Sequence, residues 1–279
     1  MFTLTQRLSG SVSAVANLYF PQLSSGALAQ YPIKKSRLVR TVKNLLADGS
    51  VVAFPDAGAS RMVWELAYSG LTTADLSALK THFSNCAGRL RSFTFLDPTE
   101  NLLASSSDIR QQPWMVSSSI AIAPGAVGPD GFVSAFTAIN NGGADQEIAQ
   151  TLPIPASYNY SFSVFCFSRD TQPVRLIRRG PSVESSTEAI LAGQWTRVVS
   201  SGILDDGGEN FTVALSLAPG QEVCLYGPQL EAQPFPSPYR STSQRSGVYT
   251  KAFWAEDQLA VAAESPDLFS TYFSIEAAV

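Results

Sequence analysis

The sequence predicts a mainly β protein: a sheet covered by one helix, with an antiparallel sandwich or jelly roll inserted into it. Three observations carry that expectation. Turn-forming clusters such as "PGAVGPDG", "NNGGAD", "LDDGGEN" and "APGQ" recur about every 8 to 12 residues through the middle of the chain. The runs between them show one apolar face each, and a single stretch has helical periodicity.

In order, "VVAF" (Val51 to Phe54) and "RMVWELAY" (Arg61 to Tyr68) read as strands leading into turns. "TTADLSALKTHFSNCAG" follows as the helix, over about 72–87. Thr72 or Thr73 can cap it, Asp75 suits its first turn, and Gly88 suits the left-handed position after its end. Leu76, Leu79 and Phe83 share one face, which leaves His82 pointing to solvent. "RLRSFTF" is the next strand and stops at "DPTENLL".

From Asn101 the runs "FVSAFTAI", "EIAQTL", "NYSFSVFCF", "VRLI", "TRVVSSGI", "FTVALSL" and "EVCLYGPQL" alternate as strands of a sandwich. In "YNYSFSVFCF", Tyr158, Tyr160, Phe162, Val164 and Cys166 take one face, and Phe165 and Phe167 take the other. The run ends in "GPQLEAQPFPSPYRST", where Pro234, Pro236 and Pro238 at alternate positions remove ladder donors and hold the chain as an extended connector. After Thr242 about three more strands fit, too few for a core of their own. The expected division is therefore a discontinuous domain of residues 1–97 and 242–279, with residues 101–240 inserted as the jelly roll.

Composition bounds the function. Of 279 residues, 45% are hydrophobic and 15% charged, with net charge −4, pI near 5.1 and mean hydropathy +0.06. An acidic, weakly charged chain argues against nucleic acid or an anionic membrane as partner. No apolar run approaches the roughly 20 residues that a membrane helix needs. "MFTLTQRLSGSVSAV" lacks the basic and apolar regions of a signal peptide, so synthesis in a cytoplasm without cleavage is expected. Low charge also suits surfaces that become buried between subunits.

Catalytic signatures are missing. No GxSxG, GxGxxG or GxxxxGK[ST] occurs, so no nucleophile elbow and no nucleotide cofactor site is expected. Cys86, Cys166 and Cys224 lie far apart and not at the spacing of zinc ligands or a redox pair, and Cys166 and Cys224 read as buried small hydrophobes. His82 has no partner at ligand spacing. Asp145 and Glu147, or Asp205, Asp206 and Glu209, could in principle supply a glycosidase pair or a calcium site. Each set sits in a Gly-rich segment where acidic residues belong for backbone reasons, and solvated turns are the reading adopted. Trp64, Trp114 and Trp195 are assigned to the core; Trp254 is left open. Stacking of a sugar on exposed aromatics is the remaining binding chemistry, with no residue assigned to it.

Two stretches carry a resemblance. "LYFPQLSSGALAQYPIKK…RTVKNLLADGS" and "WELAYSGLTTADLSALKTHF…GRLRSFTFLDPTENLL" resemble the N-terminal part of distal-tail-like proteins of double-stranded DNA phages and gene transfer agents, which implies a β-sandwich with one helix for this part of the chain. "NLLASSSDI…PW", "GPDGFVSAFTAI", "YSFSVFCFSR", "GQWTRV" and "CLYGPQLEAQPFPSPYRST" are similar to a carbohydrate-binding-type jelly roll of phage structural proteins. The resemblance carries over no ligand residue; the first acidic residue after "NLL" is Asp108.

The resemblance implies a non-enzymatic virion part at the distal end of a tail, joining tail tube to tip or hub. It also implies self-association into a ring, commonly sixfold. A receptor-binding module recognising a host surface glycan is the alternative, and a polysaccharide-cutting tail enzyme the second.

Overall fold

The computed structural model describes residues 17–279. The expectation that the first fifteen residues are no signal peptide lies outside them. In chain order the elements begin with β1 (Lys34–Leu45), β2 (Val51–Leu71), α1 (Thr73–Cys86) and β3 (Phe93–Leu96). The middle supplies β4 (Met115–Val116), β5 (Ile120–Val127), β6 (Val133–Asn140), β7 (Gln146–Leu152) and β8 (Tyr160–Phe167). Then come β9 (Gln172–Arg179), β10 (Glu184–Leu191), β11 (Thr196–Gly202), β12 (Phe211–Leu217) and β13 (Glu222–Glu231). β14 (Val248–Trp254), β15 (Val261–Ser265) and β16 (Leu268–Ala278) close the chain. The protein is mainly β, with antiparallel sheets and one α-helix among the described residues.

Ten middle strands form two five-stranded sheets, ordered β10-β9-β12-β7-β4 and β11-β8-β13-β6-β5. Their facing sides bury Phe136, Ile148, Tyr160, Phe162, Leu176, Phe211 and Leu225, the alternate residues that a half-buried strand directs inward. This is the sandwich that the alternation of "YSFSVFCF" announces: Tyr160, Phe162, Val164 and Cys166 are buried, while Phe165 and Phe167 stay partly exposed on the other face.

The first and last segments share a third sheet, ordered β1-β2-β16-β14-β3, with β15 beside β16. Trp64, Leu66, Phe93, Phe95, Trp254, Phe273 and Ile275 are buried on it. The Asp97 N–H donates to the Gly247 carbonyl and the Gly247 N–H to the Asn101 carbonyl, so the chain enters and leaves the middle segment side by side. Asn101 holds this seam. Its amide donates to the Pro228 and Arg240 carbonyls, and its side-chain oxygen accepts from the Leu103 and Leu230 N–H groups.

α1 starts at a capping box in which Thr72 and Asp75 each accept from the other's backbone N–H, and it ends at Ala87 in the left-handed region. Its buried side runs through Asp75, Leu76, Leu79, His82 and Cys86. The solvent-facing placement of His82 is therefore corrected: it is 6% exposed, with its ring among Phe20, Phe93 and Trp254. The buried stripe centres between Leu79 and His82, so Phe83 lies at its edge and remains partly exposed.

"VVAF" and "RMVWELAY" belong to one 21-residue strand, β2, not to two strands. β16 pairs with β2 only from Arg61 onward. Before that, β2 pairs with β1 alone, so Arg40–Leu45 and Val51–Asp56 make a two-stranded ribbon projecting from the sheet.

Candidate ligand-binding face

The outer face of the β11-β8-β13-β6-β5 sheet collects the aromatics that alternation turns away from the core. Phe165 in β8 lies directly opposite Arg197 in β11 on one side and Tyr226 in β13 on the other. The three make a rung across three strands, about 10 Å long at normal strand spacing. The Arg197 guanidinium sits 5.2 Å from the Phe165 ring centroid, and the Phe165 and Tyr226 centroids are 6.0 Å apart. Tyr239, from the proline-rich return, continues the row with its ring 5.3 Å from Tyr226. One step along the strands, Trp195 packs on Phe167 at 5.7 Å, forming a second aromatic rung.

The bulge in β13 produces this arrangement. Gly227 and Pro228 together oppose one residue of β8, so Tyr226 and Gln229 both face outward, while Leu225 and Leu230 face the core. Gly227 has φ +60, and a Cβ there would lie 3.0 Å from the Tyr239 ring; glycine lets the return segment close over the strand.

Beside the aromatics the face turns polar. Arg197 donates to the Ser163 hydroxyl, Ser201 donates to Ser161, and Gln229 donates to Glu231. Burial draws the Arg197 pKa down, with Glu231 opposing the shift. The proline-rich segment lies over this end: the Ser237 N–H and hydroxyl both donate to Glu231, and the Arg240 N–H donates to Gln229. At the other border Asp130 pairs with Tyr226, whose hydroxyl pKa is raised mainly by burial and then by that carboxylate.

Trp195, assigned to the core from sequence, is thus corrected to a partly exposed platform on the outer face. Its neighbour Thr196 opposes Cys166 on the inner face, which places Trp195 on the opposite side. Trp64, Trp114 and Trp254 are buried; the Trp64 indole donates to Asp97 at 2.8 Å and that of Trp254 to His82 at 3.3 Å. Cys86 and Cys166 are buried, but Cys224 is partly exposed, 3.6 Å from the Thr137 hydroxyl.

The acidic residues do not converge. Asp145 pairs with Arg175 at 3.2 Å, and Glu147, which sits in β7 and not in a turn, pairs with Arg179 at 2.8 Å. Asp206 turns inward to accept the Ser182, Val183 and Gly208 N–H groups, which hold its carboxyl below the usual range. Asp205 is exposed, and Glu209 accepts from the Asn17 amide. Asp108 pairs with Arg110, which pulls it to about 2. Among the described residues no three His, Cys, Asp or Glu side chains are grouped to hold a metal ion.

No family model and no curated protein matches the sequence. Solved structures with similar backbones include the module TmCBM61 in complex with β-1,4-galactotriose, at 16% identity and TM-score 0.35, covering 47% of this chain and 97% of that one. The CBM22-1 xylan-binding domain from Paenibacillus barcinonensis Xyn10C is 12% identical with TM-score 0.38, covering 47% and 93%. The enzymatically active domain of bacteriophage CBA120 tailspike protein 4 is 10% identical with TM-score 0.39, covering 49% of this chain and 22% of that one.

Proposed function

We propose that the protein recognises a carbohydrate on the outer face of its β11-β8-β13-β6-β5 sheet, with the six-stranded sheet as its mount. The in-register rung Arg197–Phe165–Tyr226 is the observation that carries this reading. A pyranose ring has one face of C–H bonds and an equator of hydroxyls. An aromatic surface removes the first from water, and flanking polar groups bond the second. Phe165, Phe167, Trp195, Tyr226 and Tyr239 supply the surface, and Arg197 supplies donors at its side. The face binds and does not cut: Asp145 and Glu147 are each engaged by an arginine on the other five-stranded sheet, away from the rungs. The resemblance noted in the sequence favours a phage tail as the setting and a host surface glycan as the ligand.

A glycan array probed with the full chain tests this. Binding to a defined oligosaccharide class, markedly weakened in Phe165→Ala and in Trp195→Ala, is expected. No binding across a broad panel, or binding indifferent to both substitutions, removes the reading.

A second reading, a ring-forming tail subunit between tube and tip, is favoured by the ribbon. Leu45, Val51 and Phe54 in the ribbon, and Leu38 and Val39 at its base, are each at least half exposed. A two-stranded ribbon is marginal in water by itself, and one carrying exposed apolar side chains gains stability when a neighbouring subunit covers it. Native mass spectrometry checks this: a closed oligomer, commonly a hexamer, is expected, and a monomer at micromolar concentration contradicts it.

A further inference from the structure

β6 and β13 pair only between Phe136–Leu225 and Ile139–Glu222. Past Leu225 the bulge keeps β13 beside β8, while β6 runs back beside β5 to Val133. The two strands separate, and residues on both sides of the gap, Ser134 and Phe136 of β6 and Leu225 and Gly227 of β13, line a cavity of about 270 Å3 between the sheets. Trp114, Phe136, Ile148, Phe162 and Leu215 are among its walls. Ser106, Ser134, Ser241, Tyr226 and Tyr239 also line it; Tyr239 and Ser106 are hydrogen-bonded at 3.1 Å, and the Ser134 hydroxyl donates to Asp130 at 3.0 Å.

Close-packed protein interiors leave few voids larger than a water molecule. An apolar cavity of roughly 150 Å3 already stays dry and takes benzene. The space here is larger, and no charged side chain lines it. An ionic guest would lose its hydration with no partner in return. A neutral guest with an apolar end and a hydroxyl satisfies both parts: the apolar end leaves water against the walls, and the hydroxyl meets its like beside them.

We propose that this cavity is a binding site for a small neutral amphipathic molecule. One aromatic ring or short acyl group lies between the sheets, and its hydroxyl lies among Ser106, Tyr226 and Tyr239. The site goes beyond glycan recognition. It borders the aromatic face at Tyr226 and Tyr239 but lies on the core side of the sheet.

Phenol is the probe, titrated calorimetrically into the full chain. Saturable binding at one site per chain is expected, with at least threefold weaker binding of benzene, which lacks the hydroxyl. Ile148→Phe, which fills the cavity, and Ser241→Trp, which places a large ring at its exposed rim, are each expected to weaken phenol at least tenfold. Ser241 is exposed, so its variant keeps the test decisive if Ile148→Phe does not fold. No saturable binding of phenol by the unaltered protein overturns the proposal. So does unchanged affinity in the folded variants, or benzene binding as tightly as phenol.

Discussion

Acidification from pH 7.5 to 5.0 is expected to destabilise the protein by about 2 kcal/mol through His82 alone. The imidazole is 6% exposed and packed against Phe20, Phe93 and Trp254. Its Nδ1 accepts from the Trp254 indole at 3.3 Å, and Cys86 Sγ lies 3.7 Å from its Nε2. Burial pushes the Cys86 thiol up to about 11, so it offers no negative charge. Burial likewise pushes His82 from an ordinary 6.5 down to about 4. The folded state therefore binds fewer protons than the unfolded state between these values, and stability falls as pH falls through that window. Linkage gives RT ln[(1 + 10^1.5)/(1 + 10^−1)], about 2 kcal/mol, at pH 5.0, rising toward about 3.4 kcal/mol below pH 4. Urea unfolding followed by tryptophan emission at pH 7.5, 6.5, 5.5 and 5.0 measures it. With a slope of about 3 kcal/mol per molar, the midpoint drops by about 0.7 M. His82→Gln keeps an acceptor for Trp254 and removes the titration, so its midpoint should move much less. Parallel losses in the two proteins would refute the reasoning.

Further expectations concern the seam, the face and the ribbon. Asn101→Ala strips partners from the buried Leu103 and Leu230 N–H groups and should cost about 2–4 kcal/mol in urea unfolding; a loss under 0.5 kcal/mol, a surface-like value, would show the seam to be held elsewhere. Gly227→Ala places a side chain at φ +60 against the Tyr239 ring and should cost about 1–2 kcal/mol, read as a lowered melting temperature. Phe165→Ala should weaken glycan binding about tenfold, or about 1.4 kcal/mol, while leaving the near-ultraviolet dichroism of the buried tryptophans intact. Val39→Lys with Phe54→Lys should leave the melting temperature within a degree or two yet abolish any oligomer seen by native mass spectrometry.

Much of the sandwich was legible because its signal is local. "YSFSVFCF" and "FTVALSL" alternate, and period-2 alternation is the strand's own geometry. The edge strand β10, "ESSTEAIL", escaped detection because most of its side chains are exposed or half-exposed, so it carries little apolar contrast. β1 escaped for the same reason: it is polar in composition and exposed along nearly its whole length. His82 was misplaced because helical periodicity gives a stripe but not its centre; the rings of Phe20 and Trp254, distant in sequence, decide which flank of the stripe is covered.

The candidate face shows the same boundary. That Phe165 and Phe167 oppose the core was readable from alternation within β8. That Arg197 and Tyr226 flank Phe165 depends on strand order and register, which are set by pairings between residues 32 and 61 positions apart and by a bulge at Gly227–Pro228. By itself the sequence determined a mainly β fold, one capped helix and the inward faces of the sandwich strands, because these follow from local periodicity and turn chemistry. Only the tertiary structure decided which outward rings share a rung, where β6 and β13 part to open a cavity, and that the one histidine is buried. Those depend on contacts between segments far apart in the chain, for which no local pattern exists.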